Sequence, residues 1–228
     1  SPADVATILG GVAGIVEVTG GTAEGRRLRE RALALLEQTF GPQHPDVADG
    51  LADLASSVGE DDSEAATAMF RRAIAILERA FGLNDPATAR AYNNLGAVQL
   101  TAGDLAGARQ SFERAVAAVE AALGPDHPTV LVYVNNLGHT LGKLKRAEEG
   151  LAHLREAVRL NPGYAVAWVN LGELCYSSGR DAEAVEAIDR ALALDPANEG
   201  LRHLRDSIAG VQTGRAPDEF IRGFFDRF

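Results

Sequence analysis

Apolar residues recur three and four positions apart along most of the chain, and they do so in paired segments separated by short polar turns. That spacing puts a hydrophobic stripe on one face of a helix. The clearest case is AVAWVNLGELCYSSGRDAEAVEAIDRALALDPAN at 165–198, where two stripes flank the turn SSGRDAE. TAGDLAG and LGKLKRA are the equivalent turns upstream. The pattern predicts an all-α chain of helix–turn–helix units. A first helix is expected at about 4–18, a second at about 24–39, and a last one, EGLRHLRDSIAGVQ, at 199–212 with Leu201, Leu204 and Ile208 as its stripe. The glycines of the first helix weaken it by up to about 1 kcal/mol each. They either permit tight contact with the second helix or let the segment fray.

The units are joined by a recurring punctuation. FGPQHPDVA at 40–48, FGLNDPATA at 81–89 and LGPDHPTVL at 123–131 align, with Gly41, Gly82 and Gly124 stepping by 41 and 42 residues. Each Gly suits a left-handed helix end. Pro45, Pro86 and Pro128 suit a first helical position, where the missing N–H is no loss. Asp85 is a candidate N-cap, and His44 and His127 hold the equivalent place. Small residues recur where paired helices must approach closely: Gly96 with Ala115, Gly138 with Ala157, and Gly172 with Ala191. A second recurrence, Asp53, Asn94, Asn136 and Asn170, steps by 41, 42 and 34 residues.

Thirty-four residues is the length of the tetratricopeptide repeat. The chain resembles that family over roughly residues 25–198. Trp168, Leu171, Gly172, Ala184, Ala191 and Pro196 match its pattern, as do Tyr92, Leu95, Gly96, Ala108, Phe112 and Ala115 one unit earlier. The 42-residue spacing with G-x-x-H-P between units resembles the kinesin-light-chain subtype. The resemblance implies a right-handed α-solenoid over 1–212, counted as about four helix pairs plus a capping helix, the first pair degenerate. Residues 213–228 are expected to form a linker or short Phe-rich helix. Arg29 falls where the next units have Phe70 and Phe112, which suggests an exposed or capping face.

In the family, positions five and six of each first helix point into the concave groove. Carried onto this chain, they are Asn93 and Asn94, Asn135 and Asn136, Val169 and Asn170, with Asp53 earliest. The resemblance therefore implies a groove for an extended peptide, with Asp53, Asn93, Asn94, Asn135, Asn136, His139, Lys143, Asn170, Glu173 and Tyr176 as candidate contacts. An amide both donates and accepts, so it can pair with a peptide backbone regardless of sequence. The competing reading is hydrogen bonding between units. His139 and Lys143 are the basic residues in the middle of this line, too few to clamp a carboxylate terminus.

Composition narrows the function classes. The formal charge is −10, from 32 acidic and 22 basic residues, so neither nucleic acid nor an anionic membrane is the expected partner. No apolar run approaches a membrane span. SPADVATILGG has no basic region before its apolar stretch and does not read as a signal peptide. Without an initiating Met the chain reads as an excised piece, and the expected setting is cytoplasmic. Cys175 sits at an apolar helix position and reads as packing. LGKLK lacks the glycines of a phosphate loop. His139 and His153 lack ligand spacing, so no metal, cofactor or catalytic residue is expected. The tail APDEFIRGFFDRF resembles the start of the methyltransferase portion of bacterial tetratricopeptide–methyltransferase proteins. Two alternatives to a peptide-binding module follow: a non-catalytic part of an enzyme whose linked domain follows Phe228, and a homo-oligomer held through Phe220, Ile221, Phe224, Phe225 and Phe228.

Overall fold

The computed structural model describes residues 1–59 and 61–210. They form eleven helices: α1 (Pro2–Val18), α2 (Thr22–Phe40), α3 (Pro45–Val58), α4 (Ser63–Phe81), α5 (Pro86–Thr101), α6 (Leu105–Leu123), α7 (Val130–Lys143), α8 (Ala147–Leu160), α9 (Ala165–Ser177), α10 (Asp181–Leu194) and α11 (Glu199–Ile208). No strand occurs among the described residues, as the helical period requires. The helices pair as α1/α2, α3/α4, α5/α6, α7/α8 and α9/α10, with α11 against α10. That is five pairs where the sequence counted four. The line of Asp53 and the asparagines marks four pairs by itself, from α3 to α9, and the degenerate first pair, α1/α2, makes the fifth. The expected linker at 213–228 lies outside the described residues.

The helices gather into two compact units, Ser1–Pro125 and Asp126 onward. The N-terminal unit holds α1–α6 and is built around Phe70 and Phe112, both fully buried. The C-terminal unit holds α7–α11. Here Val169, Ile188, Ala191, Leu201 and Leu204 form one buried cluster, with Trp168, Tyr176, Leu192 and Ile208 packed at its edge. Leu201 and Leu204 seat α11 on α10 as its stripe predicts.

Small residues set the close approaches inside pairs. A methyl group on Gly96 would lie 2.8 Å from the Phe112 ring, and one on Gly138 would lie 2.8 Å from Leu154. A side chain on Gly150 would come within 2.8 Å of the Gly138 carbonyl oxygen, so α7 and α8 cross glycine on glycine. In α1 the tight-contact alternative is not met at Gly10 and Gly11. Gly10 and Gly11 have nothing within 4 Å of where a Cβ would stand. The buried residues of that helix are Ala6 and Ala13.

The punctuation between units does its predicted work with two changes. Asp85 Oδ1 accepts from Ala87 N at 2.8 Å, and His44 Nδ1 accepts from Asp46 N at 3.2 Å. His127 Nδ1 accepts from Thr129 N in the same way, at 3.2 Å. Pro45 and Pro86 open α3 and α5, whereas Pro128 stays in the turn and α7 starts at Val130. Gly41, Gly82 and Gly124 do cap the preceding helices through their N–H groups. Their φ values of 85°, 92° and 87° come with ψ of 159°, 175° and 154°, outside the compact left-handed region and in one that glycine alone occupies.

Candidate functional site

Three adjoining hollows run across α3 in the N-terminal unit. The first, about 280 Å³, lies against α1, α2 and α3, with Ala6, Ala32 and Leu36 as its apolar wall and Arg29, Asp46, Asp49 and Asp53 as its polar one. Gly10 and Gly11 also line it, so the side chains missing from α1 leave it open. The second, about 320 Å³, is bounded by Asp49, Ala52, Asp53, Ser56, Arg90 and Asn94. The third, about 270 Å³, is mainly apolar, lined by Gly59, Phe70, Ala97 and Val98 beside Ser56, Asn94 and Thr101. Asp49 and Asp53 belong to the first two hollows, and Ser56 and Asn94 to the last two.

The helix period explains this alignment. Asp46, Asp49 and Asp53 follow one another at three and four residues, and Ser56 continues the line, so they share one face of α3. Arg90 and Asn94 stand four apart on α5. Arg90 Nη2 donates to Asp49 Oδ1 at 2.8 Å across the second hollow. The Asp53 side chain is 65 % exposed, 3.7 Å from Arg29. The concave surroundings remove part of its hydration and push its carboxyl up. Asp49 and Glu17 add to that shift, while Arg29 and Arg90 oppose it.

Arg29 itself corrects the sequence reading. Its side chain is 16 % exposed and turns inward. Its Nε and Nη2 donate to the Glu17 carboxylate at 3.0 and 2.7 Å, a bidentate pair. Ser57 Oγ donates to the same carboxylate at 2.7 Å. This network ties α1, α2 and α3 together, and the Arg29 hydrogen bonds are the main cause of the lowered Glu17 pKa. A Gln99 that departs from the apolar pattern is likewise explained. Buried in α5, it accepts from Ser111 Oγ at 2.6 Å and donates to Asp104 at 3.2 Å.

The candidate amides fall into two environments. Asn93 and Asn94 are half-buried, and Asn93 Nδ2 donates to Asn94 Oδ1 at 3.3 Å. Asn135 Nδ2 makes the same contact to Asn136 Oδ1, at 3.4 Å. The C-terminal unit adds a bond between helices: Asn170 Nδ2 of α9 donates to Asn135 Oδ1 of α7 at 3.0 Å. Asn135 is 2 % exposed and Asn170 8 %. Position five of one pair thus receives position six of the next. The sequence signal for it was an amide at five followed by an amide at six, and α3 breaks that pattern with Ala52.

The other candidates in the C-terminal unit stand nearby. His139 Nδ1 lies 3.5 Å from the Glu173 carboxylate, and both side chains are about one-fifth exposed. Burial, helped by the Lys143 charge, lowers the His139 pKa to about 4. It is therefore a neutral imidazole, not the basic residue of the sequence reading. Lys143 is exposed, and Tyr176 is half-buried against the Val169–Leu204 cluster. Cys175 is buried, and the same burial raises its thiol pKa, which keeps it protonated. Among the described residues no group of His, Cys, Asp and Glu could hold a metal ion. No described helix is long and apolar enough to cross a membrane.

Comparison with known proteins agrees with this architecture. Tetratricopeptide repeat profiles match residues 4–79, 58–121, 87–162 and 135–199. The chain is 35 % identical over 63 residues to the tetratricopeptide repeat domain-containing protein PYG7, chloroplastic, of Arabidopsis thaliana; the match spans 28 % of this chain and 21 % of that protein. Among solved structures it is similar to kinesin-light-chain TPR-like repeats of Podosopora anserina, with a TM-score of 0.74 at 18 % identity, covering 86 % of this chain and 96 % of that one. It is also similar to YrrB, described as a TPR protein with an unusual peptide-binding site, with a TM-score of 0.58 at 17 % identity over 87 % of this chain and 90 % of that one. The repeat profiles cover most of the sequence, and the chain belongs to the tetratricopeptide repeat family.

Proposed function

We propose that this chain is a protein-interaction module that holds an extended partner segment along α3 and α5 of the N-terminal unit. Repeat stacks of this family generally serve as non-catalytic scaffolds for protein partners, and YrrB, of the same fold, is described by its peptide-binding site. The observation that carries the reading is the place of Asn94, whose amide stands on the shared wall of a polar and an apolar hollow. An amide there can donate to a peptide carbonyl and accept from a peptide N–H. The apolar hollow beside it can take a side chain, the usual division of labour in recognising an extended segment.

Asn135 and Asn170 are already bonded to each other and sheltered from solvent, so their role in this proposal is to hold α9 on α7. The test is selection of binders from a displayed library of random linear peptides, followed by affinity measurement on variants. Asn94→Ala with Asp53→Ala is expected to lower the affinity of selected peptides at least tenfold with helicity unchanged. Peptides that bind the double variant as tightly as the parent would overturn the proposal.

A further inference from the structure

The three hollows differ in chemistry, and the difference specifies a partner. Asp46, Asp49 and Asp53 face the first two hollows against Arg29 and Arg90. Neither cation is idle. Arg29 is bound bidentately to Glu17, and Arg90 to Asp49. Among the described residues Asp46 has His44 nearby, at 3.6 Å, and Asp53 has the distant edge of Arg29, with Arg90 acting on it from further off. The polar end of the track therefore carries more negative charge than its own cations neutralise, beside the apolar floor of Ala6, Ala32 and Leu36. The far end, at Gly59, Phe70, Ala97 and Val98, has no charged side chain on its wall among the described residues.

We infer that the segment held by the N-terminal unit is basic at one end and apolar at the other: an Arg or Lys in the hollow between α1 and α3, and a Leu-like side chain in the hollow beside Phe70 and Val98. This rests on the peptide-binding reading above and adds the sequence class. A long basic side chain suits the first hollow, because its methylenes can lie on Ala32 and Leu36 while its head meets Asp46 and Asp53. Asn94 stands at the boundary of the second and third hollows, where the backbone of the segment must pass. The two end hollows flank α3 and meet it about eight residues apart, so they are offset by roughly 10 Å across the helix and about 12 Å along it, about 16 Å in all. An extended chain advances about 3.3 Å per residue, so the basic and apolar residues are about five positions apart.

The experiment measures fluorescence anisotropy of labelled ten-residue peptides on the full chain. Arg–Ser–Ser–Ser–Ser–Leu and Leu–Ser–Ser–Ser–Ser–Arg cores in Gly/Ser flanks are the probes, because the strand direction is open to either. The same cores with Glu in place of Arg, with Ser in place of Leu, and with Ser in place of Arg are the comparisons. The Arg/Leu probes are expected to bind at least tenfold more tightly than the Glu/Leu peptide, and to weaken as salt rises. Asp46→Asn with Asp53→Asn is expected to erase that preference while leaving the Leu preference intact. Ala97→Glu, on the wall of the apolar hollow, should do the opposite. Circular dichroism confirms that each variant is folded. Equal binding of acidic and basic peptides, or an Arg preference that survives the two Asp→Asn changes, would overturn the inference. If such peptides still lose affinity with Asn94→Ala, the groove reading stands and only the partner chemistry is wrong. If no probe responds to Asn94→Ala either, both are wrong.

Discussion

Asn94 of α5 and Asn170 of α9 hold the same register position in their repeats, yet their surroundings divide them. In the C-terminal unit Asn135 is sealed by Asn170 and becomes part of the packing between α7 and α9. In the N-terminal unit the helix before Asn94 offers Ala52 at the matching place, and the amide faces hollows instead. A polar residue in a repeat is thus assigned by the neighbouring repeat, not by its own. Where the neighbour returns a hydrogen bond the residue is structure; where it offers a methyl group the residue borders open hollows.

The largest consequence of the dry C-terminal environment should appear in acid. The folded pKa of His139, about 4, lies below its ordinary value of 6.5, so the unfolded chain binds a proton first. Stability is then full above pH 6.5 and falls as pH drops toward 4, by roughly 2–3 kcal/mol at about 1.4 kcal/mol per pH unit, with Glu173 recovering part. Urea denaturation at pH 7.5 and pH 4.5 measures the loss. His139→Gln should remove most of the pH dependence in this range. A parent protein equally stable at both pH values would show that His139 takes up its proton without cost and would break the contrast between the units.

The amide lock itself is the next largest effect. Asn135→Leu leaves Asn170 Nδ2 buried without its acceptor, which costs about 2 kcal/mol. Replacing both, Asn135→Leu with Asn170→Leu, removes donor and acceptor together and should recover at least half of that loss, a coupling that a double-mutant cycle reads directly. Additive losses would mean that the 3.0 Å bond contributes nothing beyond its two side chains.

The sequence revealed what is local or periodic. Helix faces, the caps at His44, Asp85 and His127, and the Gly–Pro punctuation all follow from residues within one turn of each other. The recurrence of Asp53, Asn94, Asn136 and Asn170 also came from spacing, while their assignment to positions five and six came from the family resemblance. What the spacing did not show is the partner of each polar residue across the stack. Arg29 is read as exposed because a charge replaces Phe70 and Phe112 of later units, and nothing local announces that Glu17, twelve residues upstream, will meet it. Gln99 with Ser111 is a pair of the same kind. The ψ angles of the capping glycines escaped for a different reason: a Gly marks freedom at a position without saying which conformation is used.

The Glu17–Arg29 pair tests the N-terminal side of the comparison more gently. Its lowered carboxyl contributes stability above the ordinary pKa of 4.5 and loses it as pH falls through the folded value, a range reached after His139 has begun to titrate. Glu17→Gln keeps the size and the contact with Ser57 but removes the charge that holds Arg29. The expected loss is about 1 kcal/mol, in line with a half-buried charge-assisted hydrogen bond. Thermal melts at neutral pH would detect it as a shift of a few degrees.

Asn94→Ala should have the smallest effect on stability and the most informative one. Its side chain accepts only a long 3.3 Å bond from Asn93 among the described contacts and borders open hollows on two sides. Truncation at such a site is expected to change stability by no more than about 0.5 kcal/mol. The equivalent truncation at Asn170 exposes the buried acceptor of Asn135 and should cost several times as much. Melting the two alanine variants side by side therefore separates the two roles without any ligand. Equal losses would show that the α5 amide is as much a part of the packing as the α9 amide, and the proposed groove along α3 and α5 would lose its polar anchor.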